Sequence, residues 1–163
     1  MKNIKLFLTD VDGCLTDGGM YYAANGDELK RFCVYDGMGM VLLRKAGIKC
    51  GILTSETTAI VANRARKLNL DYLRMGVGGL NKTTKLEAAK LICDELDISL
   101  DEVSYVGDDV NDLDLLGAVG LPACPANAVA AVKSLPGILV LNHNGGDGAI
   151  RELADLIIKK ITK

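Results

Sequence analysis

One pattern dominates this sequence: a short apolar run stops abruptly at acidic or hydroxyl residues, and a stretch with helical spacing follows. Ile4–Thr9 stops at Asp10 and Asp12, Cys50–Leu53 at Thr54-Ser55-Glu56, and Val103–Val106 at Gly107-Asp108-Asp109. Unbroken apolar runs of this length read as strands buried on both faces, which is how parallel strands look. Tyr72–Met75, Val119–Pro122 and Ile138–Leu141 read as further strands. Between the strands, Thr57–Leu68 places Ile60, Val61, Arg64, Ala65 and Leu68 on helical spacing, and Lys82–Leu96 is amphipathic over its length. Asp36 is placed to cap a helix running to about Ala46, with Gly47 as its stop. Val110–Leu116, Ala126–Ser134 and Ala149–Lys160 complete the helices. Asn25-Gly26, between Met20–Ala23 and Glu28–Val34, is a strong hairpin signal and places a hairpin at about residues 19–35. The alternation predicts an α/β fold with a doubly wound, Rossmann-like, mainly parallel sheet. Residues 1–163 form one domain with a β-hairpin after the first strand. Ligands of such a sheet bind at the carboxyl ends of its strands.

Composition narrows the partners. A formal net charge of −2 and a sequence pI near 5.4 leave no basic surplus for a nucleic-acid backbone. Five cysteines without a CxxC pair read as reduced packing residues of a cytoplasmic protein. The N-terminal apolar run breaks at Asp10, too early for a signal peptide, and no stretch approaches a membrane span. A small phosphorylated ligand needs only a few well-placed cations, so that class stays open.

The strand ends carry the chemistry. The first supplies Asp10 and Asp12, the second Thr54, and the fourth Asp108, Asp109 and Asp112; Lys82 precedes that fourth strand. Carboxylates from different strands converging on one crevice repel unless a cation lies between them. With a single histidine and no cysteine pair, the oxygen donors point to Mg²⁺ rather than zinc. A carboxylate beside Mg²⁺ can attack a phosphoryl group to give an aspartyl phosphate that water later hydrolyses. The metal and a lysine neutralise the equatorial oxygens, and a hydroxyl and helix-start N–H groups hold the rest of the phosphate. A second carboxylate two residues on can protonate the leaving alkoxide and then deprotonate the water.

With those residues in place, the chain resembles the haloacid dehalogenase-like phosphatases. Asp10-Val11-Asp12-Gly13-Cys14-Leu15-Thr16 resembles their first motif, DxDGxxT; Thr54, Lys82 and Gly107-Asp108-Asp109-Val110-Asn111-Asp112 resemble the second, third and fourth. The resemblance implies Asp10 as nucleophile and Mg²⁺ ligand. Asp12 is implied as acid/base with its carbonyl on the metal, and Asp108 as a direct metal ligand. Thr54 and Lys82 would hold the phosphoryl group. Asp109 and Asp112 would stand behind the metal, Asp109 through water or by orienting Lys82. Lys85 is the rival for the lysine role; on the alternative reading it is a solvated helix charge. Only about 40 residues separate Asp12 from Thr54, so the chain looks like the subclass without a cap domain. Gly145-Gly146-Asp147-Gly148-Ala149-Ile150-Arg151-Glu152 resembles that subclass's GGxGAxRE signature. Its members are homotetramers with the hairpins at the centre, and a neighbouring subunit and the tail close the site. Tyr21, Tyr22, Phe32 and Tyr35 are then expected in the hairpin or its subunit contact.

Members of the subclass act on phosphates of 2-keto-3-deoxy sugar acids. Thr54-Ser55-Glu56 departs from the Thr-Gly-Arg of the octulosonate phosphatases. An arginine would pair with a carboxylate, whereas Glu56 accepts hydrogen bonds from hydroxyls or an amine. A Glu at this point resembles the phosphatase-like domain appended to sialic-acid cytidylyltransferases, and that resemblance implies 2-keto-3-deoxynononate 9-phosphate or N-acetylneuraminate 9-phosphate, in sialic acid biosynthesis, with 3-deoxy-octulosonate 8-phosphate as the alternative. Arg64 and Lys67, three residues apart on one helix, either bind the keto-acid end or are ordinary solvated charges. Ser55 and Asn111 complete the expected substrate contacts. A receiver-type phosphoacceptor would lack the acid/base at Asp12, and a silent oligomerisation module would not need Asp10, Asp12 and Asp108 together.

Overall fold

The computed structural model describes residues 3–161. Six strands, β1 (Leu6–Thr9), β4 (Lys49–Thr54), β5 (Tyr72–Met75), β6 (Val103–Val106), β7 (Leu121–Cys124) and β8 (Leu139–Val140), form one sheet in the order β5-β4-β1-β6-β7-β8. Every pairing in it is parallel. The strand order reverses at β1, and the crevice beside such a reversal is where doubly wound sheets bind ligands.

Helices cover both faces. On one side α1 (Val34–Lys45), α2 (Ala59–Lys67) and α6 (Ala149–Ile161) pack Met40, Leu43, Val61, Ile150 and Leu153 against Phe7 and Ile52. On the other, α3 (Lys85–Leu96), α4 (Leu113–Leu116) and α5 (Ala130–Lys133) pack Ala89, Ile92, Leu115 and Val132 against Leu6, Leu8 and Tyr105. Burying side chains on both faces of β1 is why its sequence shows no polar alternation. Each fully buried Leu or Phe there contributes about 1.5–3 kcal/mol. Between Asp12 and Thr54 the chain forms only α1 and a small hairpin, β2 (Tyr21–Tyr22) with β3 (Glu28–Leu29), so no cap covers the sheet. Among the described residues, no helix is long and apolar enough to cross a membrane.

Several boundaries differ from the sequence expectation, three of them for a plain local reason. Helix α1 starts at Val34, and Asp36 lies inside its first turn. The buried Asp36 carboxylate instead accepts the N–H groups of Gly148 (3.2 Å) and Arg151 (3.0 Å), so it caps α6, not its own helix. Helix α3 starts at Lys85 and not Lys82, because Thr84 and Glu87 close a reciprocal capping box; such a cap is worth about 1 kcal/mol. Val110–Leu116 divides into a 3₁₀ turn, Val110–Asp112, and the four-residue α4.

Candidate active site

Strand register brings the chemistry together. Thr9 at the end of β1 is level with Ile52 on β4 and Val106 on β6. Asp10 therefore emerges between Thr54 and Asp108 on one edge of the sheet. The Asp10 N–H donates to the Val106 carbonyl at 2.9 Å, which fixes the turn out of the strand.

Asp10 is nearly buried. Its Oδ1 accepts the Val11 N–H at 2.7 Å, and its Oδ2 lies 2.7 Å from the Lys85 ammonium. Burial, with the Asp112 charge adding, pushes the Asp10 carboxyl up to about 7 although Lys85 opposes it. Lys85 is itself buried. Burial opposes its charge, but Asp10 and Asp112 outweigh that and hold the ammonium above the usual lysine range. Asp112 is fully enclosed: Oδ1 accepts from Lys85 (2.7 Å) and the Tyr105 hydroxyl (2.6 Å), and Oδ2 from the Asp108 and Asp109 N–H groups (2.9 and 3.2 Å). Asp112 thus ties α3, β6 and the turn after β6 to one carboxylate.

Asp108 faces Asp10 across the crevice. Burial, with the Asp112 charge, pushes it up to about 6, and the Cys14 thiol donates to its Oδ1 at 3.5 Å. Oxygen atoms of Asp10, Asp108 and Asp112 all lie within 4.8 Å of one another. Crowded oxygens, two of them on carboxyls whose charge burial disfavours, fit a hard divalent cation such as Mg²⁺. Both Asp112 oxygens already accept two donors each, whereas Asp10 accepts one at each oxygen and Asp108 only the long Cys14 contact, so Asp10 and Asp108 have more capacity left than Asp112 to hold such an ion. Gly13 keeps the crevice open: its φ of +84° is left-handed, and a β-carbon there would collide with the Asp108 carboxylate.

Asp12 points from the same loop toward the open side. Its Oδ1 lies 2.8 Å from the Lys30 ammonium, which the hairpin brings in, and 3.4 Å from the Thr16 hydroxyl. Thr54 is buried, with its hydroxyl accepting the Glu56 N–H at 3.2 Å. Ser55 and Glu56 are half-buried beside it, and the Ser55 carbonyl accepts from Asn81 at 3.4 Å. A cavity of about 150 Å³ beside Lys85 is lined by Gly78, Gly79, Asn81 and Asn111.

The remaining expected residues divide. Lys82 is exposed, and the lysine on Asp10 is Lys85, because the capping box sets Lys85 as the first helical residue. Asp109 is exposed and caps the following turn through the Val110 N–H at 2.7 Å. Arg64 turns inward: its Nη2 donates to the Cys33 carbonyl at 3.3 Å and its guanidinium lies 5.2 Å from the Phe32 ring centre. Lys67 is exposed on α2, so the two charges differ in surroundings. Sequence reasoning missed Tyr105 and Lys30. Tyr105 sat within an apolar run, and Lys30 within a hairpin read only for its packing. The tail lies against the loop that follows Asp10: the Gly146 N–H donates to the Cys14 carbonyl at 3.0 Å, and a β-carbon on Gly145 would collide with the Gly13 carbonyl. His143 pairs with Glu152 at 2.8 Å, which raises its pKa and ties the tail to α6.

Known proteins are similar to this chain in sequence and fold. Residues 43–153 match the family described as haloacid dehalogenase-like hydrolase. The 3-deoxy-D-manno-octulosonate 8-phosphate phosphatase KdsC of Haemophilus influenzae is 34% identical over 159 residues, 98% of this chain and 85% of that protein. A hydrolase from Legionella pneumophila described as haloacid dehalogenase superfamily, subfamily III A, superposes with a TM-score of 0.91 at 38% identity, covering 98% of this chain and 85% of the other. The 3-deoxy-D-manno-octulosonate 8-phosphate phosphatase of Moraxella catarrhalis, solved with magnesium, phosphate and a KDO molecule, superposes with a TM-score of 0.88 at 35% identity, covering 96% and 86%. The family match over residues 43–153, and relatives that align with nearly the whole chain around its aspartates after β1 and β6, make the chain a member of the haloacid dehalogenase-like hydrolases.

Proposed function

We propose that this hydrolase removes the phosphate from a 2-keto-3-deoxy sugar acid, with 3-deoxy-D-manno-octulosonate 8-phosphate as the first substrate to consider. The observation that carries the chemistry is the Asp10–Lys85 pair facing Asp108, with Asp12 on the open side of the same loop. Asp10 attacks phosphorus, and Asp12 gives its proton to the departing sugar oxygen. Asp12 then takes a proton from water, whose oxygen attacks the phosphorus of the aspartyl phosphate and releases inorganic phosphate. Lys85 and the Thr54 hydroxyl hold the transferring oxygens, and Asp112 with Tyr105 holds Lys85. Mg²⁺ bound by Asp10 and Asp108 would neutralise the phosphoryl charge.

The sequence expectation put a nine-carbon acid first. The relatives with the eight-carbon activity match nearly the whole chain, and that supports the eight-carbon reading over the nine-carbon one. Glu56, half-buried beside Thr54 where an arginine was expected of those enzymes, favours the nine-carbon acids as the second reading. Arg64, engaged with Cys33 and Phe32, lends no support to a contact with the substrate's carboxylate in its own subunit. The test is kcat/KM with Mg²⁺ for the eight- and nine-carbon acid phosphates. A preference of tenfold or more for the eight-carbon ester supports the first reading, and the reverse supports the second.

The proposed assembly is a homotetramer. Tyr21, Tyr22, Leu29, Val34 and Tyr35 are all exposed on the hairpin and the start of α1, which supports a subunit contact there.

A further inference from the structure

Lys30 is hard to explain as a surface charge. It follows β3 in a hairpin with only two paired residues on each strand, flanked by the exposed apolar Leu29. Yet its side chain is wholly buried, with the ammonium 2.8 Å from Asp12 Oδ1 and 3.1 Å from Glu28 Oε1. Burial alone would push that ammonium down; Asp12 and Glu28 outweigh it and raise its pKa. A lysine side chain is not enclosed for packing, because its charge loses the solvation of water unless charged partners replace it. The other contact of the Asp12 carboxylate, the Thr16 hydroxyl at 3.4 Å, is long. Asp12 lies in a loop, next to left-handed Gly13, with no strand or helix to fix its rotamer.

We propose that Lys30 is a positioning residue that reaches from the hairpin into the active site and fixes the rotamer of Asp12, whose carboxyl gives its proton to the leaving oxygen and is left as the carboxylate that Lys30 holds. The proposal rests on the reading of Asp12 as acid/base. It makes the seating of the hairpin a condition of the proton-transfer step and not only of assembly. Glu28 holds the far side of the ammonium, so that Lys30 keeps one geometry.

The test exploits leaving groups. A p-nitrophenolate departs without a proton, whereas a sugar alkoxide needs one, and kcat/KM reports the steps up to departure. Lys30→Met, Lys30→Arg and Glu28→Gln are compared with the wild type on p-nitrophenyl phosphate and on the sugar-acid phosphate, and Asp12→Asn is run in parallel. Lys30→Met is expected to lose roughly tenfold or more on the sugar ester, and less than about threefold on the aryl ester. Lys30→Arg recovers most of that loss, and Glu28→Gln shows the same contrast at smaller size. Retained aryl-ester activity shows that the variants fold. Equal loss on both esters in Lys30→Met and Glu28→Gln, or no loss on either, overturns the proposal while Asp12→Asn shows the contrast. If Asp12→Asn itself loses equally on both esters, the acid/base reading has failed and the proposal falls with it.

Discussion

The Lys85 ammonium lies 2.7 Å from Asp10 Oδ2 and 2.7 Å from Asp112 Oδ1, so one buried cation joins the loop after β1 to the acid cluster after β6. A lysine held so tightly is placed to meet the phosphoryl oxygens as negative charge moves from the attacking carboxylate. Lys85→Met is expected to lower kcat by about 10²–10³-fold, as removal of a preorganised charge donor does elsewhere. Lys82→Ala is expected to stay within about threefold of wild type, since Lys82 is exposed. Steady-state kinetics on one substrate decides between the two lysines.

Asp112 and Tyr105 belong to stability as much as to chemistry. Asp112 accepts four hydrogen bonds in full enclosure, and Asp112→Ala leaves Lys85, Tyr105 and two N–H groups short of a partner. Loss of one member of a buried ion pair costs about 3–5 kcal/mol. Tyr105→Phe removes one hydrogen bond and costs about 1–2 kcal/mol. Urea denaturation measures both, and the order Asp112→Ala well above Tyr105→Phe is the expected result.

Metal binding should depend on pH with a defined sign. Asp10 is pushed up to about 7 and Asp108 up to about 6 in the metal-free protein. A carboxyl whose pKa is raised on folding stabilises the metal-free fold at low pH, and that contribution is lost as pH climbs from about 4 toward 7. Mg²⁺ requires the deprotonated carboxylates, so its affinity rises over the upper part of the same window. The thermal shift produced by a fixed Mg²⁺ concentration is expected to be small at pH 5.5 and larger at pH 8. An equal shift at both values would separate these carboxyls from the metal.

Gly145 tests the tail. Its backbone meets the Gly13 carbonyl so closely that a β-carbon has no room, and both neighbours are backbone. Gly145→Ala is expected to dislodge residues 142–148 from the nucleophile loop and to raise KM for the sugar-acid phosphate by about tenfold or more, while p-nitrophenyl phosphate is affected less. Kinetics on the two esters checks the contrast, and an unchanged KM for both would remove the tail from the substrate's surroundings.

The legible parts of the sequence were those where one local rule acts alone. Asp10, Thr54 and Asp108 could be placed because an apolar run that stops at a polar residue marks a strand end. The register of β1 with β4 and β6 then carries all three to one edge. Lys85 was misjudged although its signal was present: Thr84-x-x-Glu87 is a capping box that starts the helix at Lys85 and turns its side chain under the crevice. Asp36 was read as a cap, correctly in kind, but it caps α6, 112 residues away along the chain for its Gly148 bond. Lys30 and Tyr105 carried no local signal, since a buried charge or hydroxyl becomes visible only when its distant partner, Asp12 or Asp112, is folded beside it.

The central assignment is that Asp10 becomes phosphorylated. Acid quench of the Mg²⁺-loaded enzyme during turnover of a phosphorus-labelled sugar-acid phosphate, followed by peptide mapping, reads it directly. Label on the peptide bearing Asp10, lost in Asp10→Asn together with turnover, is the expected result. Label on another residue, or full turnover by Asp10→Asn, would contradict it.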